Sequence, residues 1–389
     1  MDIDEKHTKI IRDGLKIVKK NCMKFVLLKI ENCNATYSND FSEAQVKYSL
    51  FKKPVDKYER VLSFRFTDLF SDGIKVISDF VNDCGNFEQL QLHEKTAVQR
   101  FSDFFKYVGS HEESLKRVFG ESQVSETDMK IAVAEHLLGK ISTGCTCIID
   151  INKLKDKGRC KCGCGMFPSF GYTGIGHKDV WHGHIDLILS SHHGLPSSDV
   201  AVKMVDICED DVPAEEDEIE EEIPGKRRKK EGNLEEARHA REQTLAQAIV
   251  FSLLQKQQRP NLKHFLIPTI LISPERMQIV MYDAEYDVML CSNLMDLFIP
   301  GPEGACLRPE TVIIIWTVLH YRMFCPGLPI QTRSVLHAYR SHFQELAGEK
   351  WDIYSKKLES EVAEFPVIDE ECDFNDVFLY TMDIIDDEN

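Results

Sequence analysis

At 389 residues the chain has room for one large domain or two ordinary ones, and an apolar fraction of 43% predicts that most of it folds. No run reaches the ~18 apolar residues of a membrane span, and the N-terminal MDIDEKHTKIIRDGLKIVKK is charged throughout, so we expect no membrane span, no secretion signal and an intracellular location. The net charge of −17 excludes a uniformly basic nucleic-acid binder, but it is unevenly spread: 209–222 and 364–389 hold ten acids each and no base, KRRKK at 226–230 holds five bases, and the remainder carries −2.

In chain order, residues 1–120 read as a mainly helical N-terminal region, with strands near FVLLKIENC and VLSFRFTDLF. SETDMKIAVAEHLLGKIS begins a sharper helix. Ser125 is its N-cap, Asp128 stands at the capping-box position, and Ile131, Val133, Ala134, Leu137 and Leu138 form a broad apolar face. CTCIIDI (145–151) reads as a strand, followed by a glycine-rich polar connection. HIDLILS (184–190) and DVAVKMVDI (199–207) are β-branched runs bounded by Gly, Pro and Ser, and predict two adjacent antiparallel strands.

The charged run 209–232 cannot bury enough apolar surface to order, and is expected to be a disordered insertion. A long helix over 233–257 stops at Arg259-Pro260. FLIPTILIS (265–273) and MQIVMYDAEYDVMLCS (277–292) supply further strands. ETVIIIWTVLHYRMF and SVLHAYRSHFQELAGEKWDIYSKKL read as helices, and the acidic tail follows. The fold class is α/β: a mixed central sheet flanked by helices over 121–330, with a helical N-terminal region and a C-terminal helix and tail over 331–389.

Thirteen cysteines without an export signal read as reduced thiols or metal ligands. Cys22, Cys33, Cys84, Cys291, Cys306 and Cys325 read as small buried hydrophobes. Cys145, Cys147, Cys160, Cys162 and Cys164 form a cluster, with His177, His182 and His184 close behind. Four thiolates, or three and a histidine, suit tetrahedral zinc, although the Cys-x-Cys spacing is tighter than the usual knuckle. The rival reading is a reduced cysteine loop. The basic pentamer Lys226–Lys230 reads as a nuclear-import signal or as a counter-charge to the acidic run; that run and the tail are candidates for contact with a protein partner.

The order helix, strand, strand, strand, long helix, strand, together with Glu135 in AVAEHLL, Asp186 in GHIDLIL, Lys203 in AVKMV and Gln247 with Phe251 in QAIVF, resembles the PD-(D/E)XK nuclease superfamily, in particular its RecB-type and phage λ exonuclease-like branch. The resemblance covers roughly 125–292. It implies a restriction-endonuclease-like core, DNA or RNA as substrate, Mg²⁺ or Mn²⁺ as cofactor, and Glu135, Asp186, Lys203 and Gln247 as site residues. The chain departs from the pattern at Ala201, where the second carboxylate of Glu-x-Lys belongs. Asp199, Glu135 or Glu242 are the candidates to replace it. Phosphodiester cleavage needs carboxylates to hold a divalent ion and a cation to neutralise developing charge. Three readings therefore stand: a metal-dependent nuclease, a non-catalytic scaffold on the same fold, and a zinc-stabilised interaction module.

Overall fold

The computed structural model describes residues 5–21, 23–51, 60–82, 90–120, 125–153, 160, 162, 164, 168–191, 199–205, 224–301, 304–329 and 336–362; of 224–236 only the helical backbone is described. The acidic run 209–222 and the acidic tail lie outside the described residues, as do Cys22 and Cys84.

The N-terminal region is α1 (Glu5–Asn21), β1 (Lys24–Cys33), β2 (Ala44–Tyr48), α2 (Ser71–Asn82), α3 (Leu92–Lys106) and α4 (Val108–Phe119). The central region runs α5 (Glu126–Val133), β3 (Cys145–Asp150), β4 (Ser169–Gly171), β5 (Gly174–Gly176), β6 (Trp181–His184), β7 (Leu187–Ser191), β8 (Val200–Met204), α6 (Pro224–Gln258), β9 (Leu266–Ile272), β10 (Arg276–Asp283) and β11 (Val288–Ser292). Helix α7 (Pro309–Leu319) and the short β12 (Glu359–Ser360) follow.

One mixed sheet dominates, in the order β2-β1-β11-β10-β9-β8-β7-β3-β4, with two further short strands paired off this path. β7 pairs antiparallel with both β3 and β8, and β8 pairs parallel with β9. The parallel pair needs a crossover, which α6 supplies. β1 pairs with β11, so the N-terminal region contributes a strand to the same sheet as the central region. β5, β6 and β12 belong to a smaller sheet beside it.

Helices cover both faces. Val26 and Leu28 pair with Cys291 and Met289, and Arg241 of α6 hydrogen-bonds the Cys291 thiol, so α6 lies on that face. Phe25, one residue out of step, stacks on Phe66 and packs at a tilt against Phe70 on the other. There α7, buried all round from Thr311 to Leu319, meets α1 where Gly14 lets the backbones close: a Cβ at 14 would stand 2.9 Å from that of Pro309.

Local chemistry sets the boundaries. Ser125 Oγ accepts from Asp128 N–H, and Ser125 N–H donates back to Asp128 Oδ2, the reciprocal cap expected of that spacing. The helix then widens into a π turn over Ala134–Leu138. The expected single strand at 184–190 is broken at Ile185 and Asp186, and β6 and β7 join different sheets. The long helix begins at Pro224, nine residues before the expected 233, so Lys226–Lys230 are helical.

The expected helix over 334–358 is broken into short turns. Ser341 is pinned to the β10–β11 turn, its N–H donating to Asp287 O at 2.6 Å, and His342 takes a left-handed φ of 66°. No described helix is long and apolar enough to cross a membrane.

Candidate functional site

Two polar centres flank β3, both buried except for the exposed Cys164 of the first. The first gathers His136, from the π turn, with Cys160, Cys162 and Cys164 from the connection after β3. Among the described residues this is the one group of three or more His, Cys, Asp or Glu side chains whose donor atoms all lie within 4.8 Å of one another. His136 Nε2 stands 3.0 Å from Cys162 Sγ, 3.4 Å from Cys160 Sγ and 3.5 Å from Cys164 Sγ, and the Cys160 and Cys162 sulfurs are 3.2 Å apart.

A tetrahedral zinc with Zn–S of about 2.3 Å and Zn–N of about 2.0 Å spaces its ligand atoms by roughly 3.5–3.8 Å, so opening this cluster by a few tenths of an ångström admits the ion. The donor chemistry also fits. Burial, with a lesser push from Lys140, lowers the His136 imidazole to about 4, leaving it neutral with a lone pair to give. Burial alone would raise the Cys162 thiol, but hydrogen bonds from Cys164, Cys160 and Ser114 outweigh it and bring the thiol below its ordinary value. Burial drives Cys160 up to about 12. Two of the supporting groups come from α4: Ser114 on the Cys162 thiol and Arg117, whose guanidinium donates to Cys162 O. The cluster could hold a metal such as zinc.

The expected ligand set is corrected in two ways. Cys145 and Cys147 stay on β3: Cys145 Sγ donates to Thr143 O, and Cys147 is buried beside Glu135, its thiol pushed up first by burial. The histidine is His136 rather than His177, His182 or His184, which turn to Asp179, to Val180 O and to Asp150 respectively. His136 stands 24 residues before Cys160, too far for a spacing motif. The available signal was an imidazole on an apolar helical face, three residues after Val133.

The second centre is Asp186. Extending the β7–β8 register by one residue sets Asp186 opposite Lys203, and Lys203 Nζ lies 2.9 Å from Asp186 Oδ2. The Met204 N–H donates to the same oxygen at 3.0 Å, while Lys130 Nζ of α5 lies 3.0 Å from Oδ1. Asp186 is 0% exposed and Lys130 1%. Both oxygens are therefore held by cations that the chain itself supplies. Burying charges is tolerated only when they are paired in this way.

The other expected site residues stand elsewhere. α5 offers Lys130 to Asp186, not Glu135; five residues on, at 3.6 per turn, a side chain points about 140° away around the axis. Burial raises the Glu135 carboxyl, which sits near Lys140 and Cys147. Asp199, at the far end of β8, is bound by Arg259 at 2.9 Å and faces Arg322 at 3.9 Å. Glu242 pairs with Arg238 on α6. Gln247 is buried in α6, its Nε2 without a hydrogen-bond partner. Ala201 is fully buried, level with Ile188 and Thr269 of the flanking strands. No family model, no curated protein and no solved structure matches this chain.

Proposed function

We propose that this chain is a zinc-stabilised, nuclease-like α/β protein that serves as an interaction module and does not hydrolyse phosphodiesters at Asp186. The observation that carries the reading is the saturation of Asp186: a fully buried carboxylate between Lys130 at 3.0 Å and Lys203 at 2.9 Å has both oxygens engaged by cations, and Ala201 stands where the second carboxylate of the pattern belongs. The nuclease-like architecture is supported by the strand order β3-β7-β8-β9 with α5 before it and α6 crossing between β8 and β9, and by the Asp186–Lys203 juxtaposition.

Zinc at His136, Cys160, Cys162 and Cys164 would be structural. All four positions of a tetrahedron are taken by protein, leaving none for a water or substrate. When bound, the ion supplies a cross-link; the residues supply its direction, tying α4, the π turn and the 160–164 segment together through Ser114, Arg117 and His136.

The test is cleavage of end-labelled single- and double-stranded DNA and RNA in Mn²⁺ or Mg²⁺, comparing wild type with Asp186→Asn. The expected result is no product above background in either. Cleavage that Asp186→Asn abolishes would overturn the reading in favour of an active nuclease.

A further inference from the structure

The main sheet ends at β2, and among the described residues β2 pairs with β1 alone, so its outer edge has no strand beside it. A cleft of about 450 Å³ runs between that strand and α6. All five residues from Ala44 to Tyr48 line it. Side chains alternate between faces, so a hollow on one face of the sheet would meet only every second residue; this one follows the backbone edge as well. An open edge is a template for a further strand, and proteins cover it or blunt it.

The lining has two characters. Leu28, Val46 and Leu245 give it apolar walls, and just past β2 the paired Leu50 and Val61 are 50% and 43% exposed. Lys47, Arg238 and Arg241 bring three cations, against the two acids Glu31 and Glu242 that pair with Lys47 and Arg238. KRRKK lies on the same helix, towards its N-terminus. The strand that suits this edge is apolar and β-prone in its middle, with acids at its ends and no base.

The acidic tail supplies one. Residues 377–381 read VFLYT, a run of β-branched, aromatic and aliphatic residues, with Asp376 before it and Asp383, Asp386 and Asp387 after it. The other acidic run, 209–222, has the charge but scatters Val212, Ala214 and Ile219 around Pro213, which suits no strand. Reach is sufficient. Val362, the last described residue, follows β12 at one edge of the smaller sheet, and the strand at its opposite edge, Asn39–Asp40, leads into β2 through residues 41–43. Three strand spacings and that link span about 28 Å, whereas residues 363–376 reach about 46 Å when extended.

We infer that residues 377–381 of this chain dock as an added strand on the outer edge of β2, with their flanking aspartates beside the cations of the cleft. Backbone hydrogen bonds along the edge hold the strand, and charge selects the tail over other strands. The docking site is independent of both the thiol cluster and Asp186.

The test is amide hydrogen exchange on the full-length protein. In wild type the amides of 377–381 should exchange at least about tenfold more slowly than in a free peptide of the same sequence. Lys47→Glu combined with Arg238→Glu changes side chains that are 59% and 63% exposed. It should return the tail to the free-peptide rate while exchange in the buried helix α7 stays at its wild-type value. Phe378→Asp should speed exchange within 44–48, because the outer edge is then uncovered. Dilution by about a hundredfold should change nothing, since the tail belongs to the same chain. Tail amides at the free-peptide rate in wild type, or protection indifferent to the cleft variant, overturns the inference. Protection lost on dilution also overturns it, placing the tail of a second copy on the edge instead.

Discussion

The thiol cluster and the Asp186 centre meet the same physical demand in opposite ways. Around Asp186 the chain supplies both signs: a carboxylate and two ammonium groups close within hydrogen-bond distance, and nothing further is required. Around His136 it supplies only donors. Three sulfurs and a neutral imidazole are packed within 4.8 Å of one another, and the neighbouring Arg117 guanidinium is engaged by the Cys162 backbone carbonyl. A buried centre that carries its own counter-charges is structural; one that gathers lone pairs calls for an ion from outside.

The sharpest way to break this comparison is to remove the ion from one centre and the acid from the other. Structural zinc is coupled to folding, so stripping it with a chelator, or replacing Cys162 with Ser, should lower the melting temperature by about 10 °C or more, the shift that several kcal/mol produces in a domain of this size. Calorimetry checks this, and unchanged melting would return the cysteines to ordinary loop thiols. Asp186→Ala leaves the largely buried Lys203 without its carboxylate and the buried Lys130 with only Glu126, at 2.7 Å, and should cost about 3 kcal/mol in urea unfolding. A loss below about 1 kcal/mol, the range of an exposed pair, would mean that water reaches the centre.

A third test sits away from both. His320 is 1% exposed, its Nδ1 2.7 Å from Trp316 O and its Nε2 2.8 Å from Thr143 Oγ1, and burial lowers it from 6.5 to about 4. The folded state refuses a proton that the unfolded chain accepts, so stability is lost as pH falls from 6.5 towards 4, by about 3 kcal/mol in all. The quantity to follow is the difference in unfolding free energy between wild type and His320→Gln, because Asp283, raised to about 6 mainly by burial, acts in the opposite direction and cancels in the difference. That difference should shrink by the stated amount between pH 7 and 4. The smallest effect belongs to the helix that feeds both centres: Ser125→Ala removes one half of the capping box and should cost about 1 kcal/mol.

How legible the two centres were in the sequence follows from how local their parts are. The strands carrying Asp186 and Lys203 announced themselves by β-branched runs and turn residues, and their antiparallel pairing put the two side chains together as expected. The Cys-x-Cys-x-Cys triplet was equally visible. Lys130 and His136 were not. Both interrupt an apolar helical face, and each is explained only by a residue far along the chain, Asp186 for one and Cys162 for the other. A polar side chain on such a face says that a partner exists without saying which. Glu135, by contrast, was assigned from family order, and helix geometry turned it away. The C-terminal helix failed for a related reason: the contact between Ser341 and the Asp287 turn overrides a local pattern that reads as continuous helix.

The central claim is that the ion belongs to the thiol cluster and not to Asp186. Elemental analysis of purified wild type, His136→Ala and Asp186→Asn tests it most directly. The expected result is one zinc per chain in wild type and in Asp186→Asn, and a loss of zinc in His136→Ala. Zinc-free wild-type protein, or zinc that disappears with Asp186 and persists without His136, would contradict it.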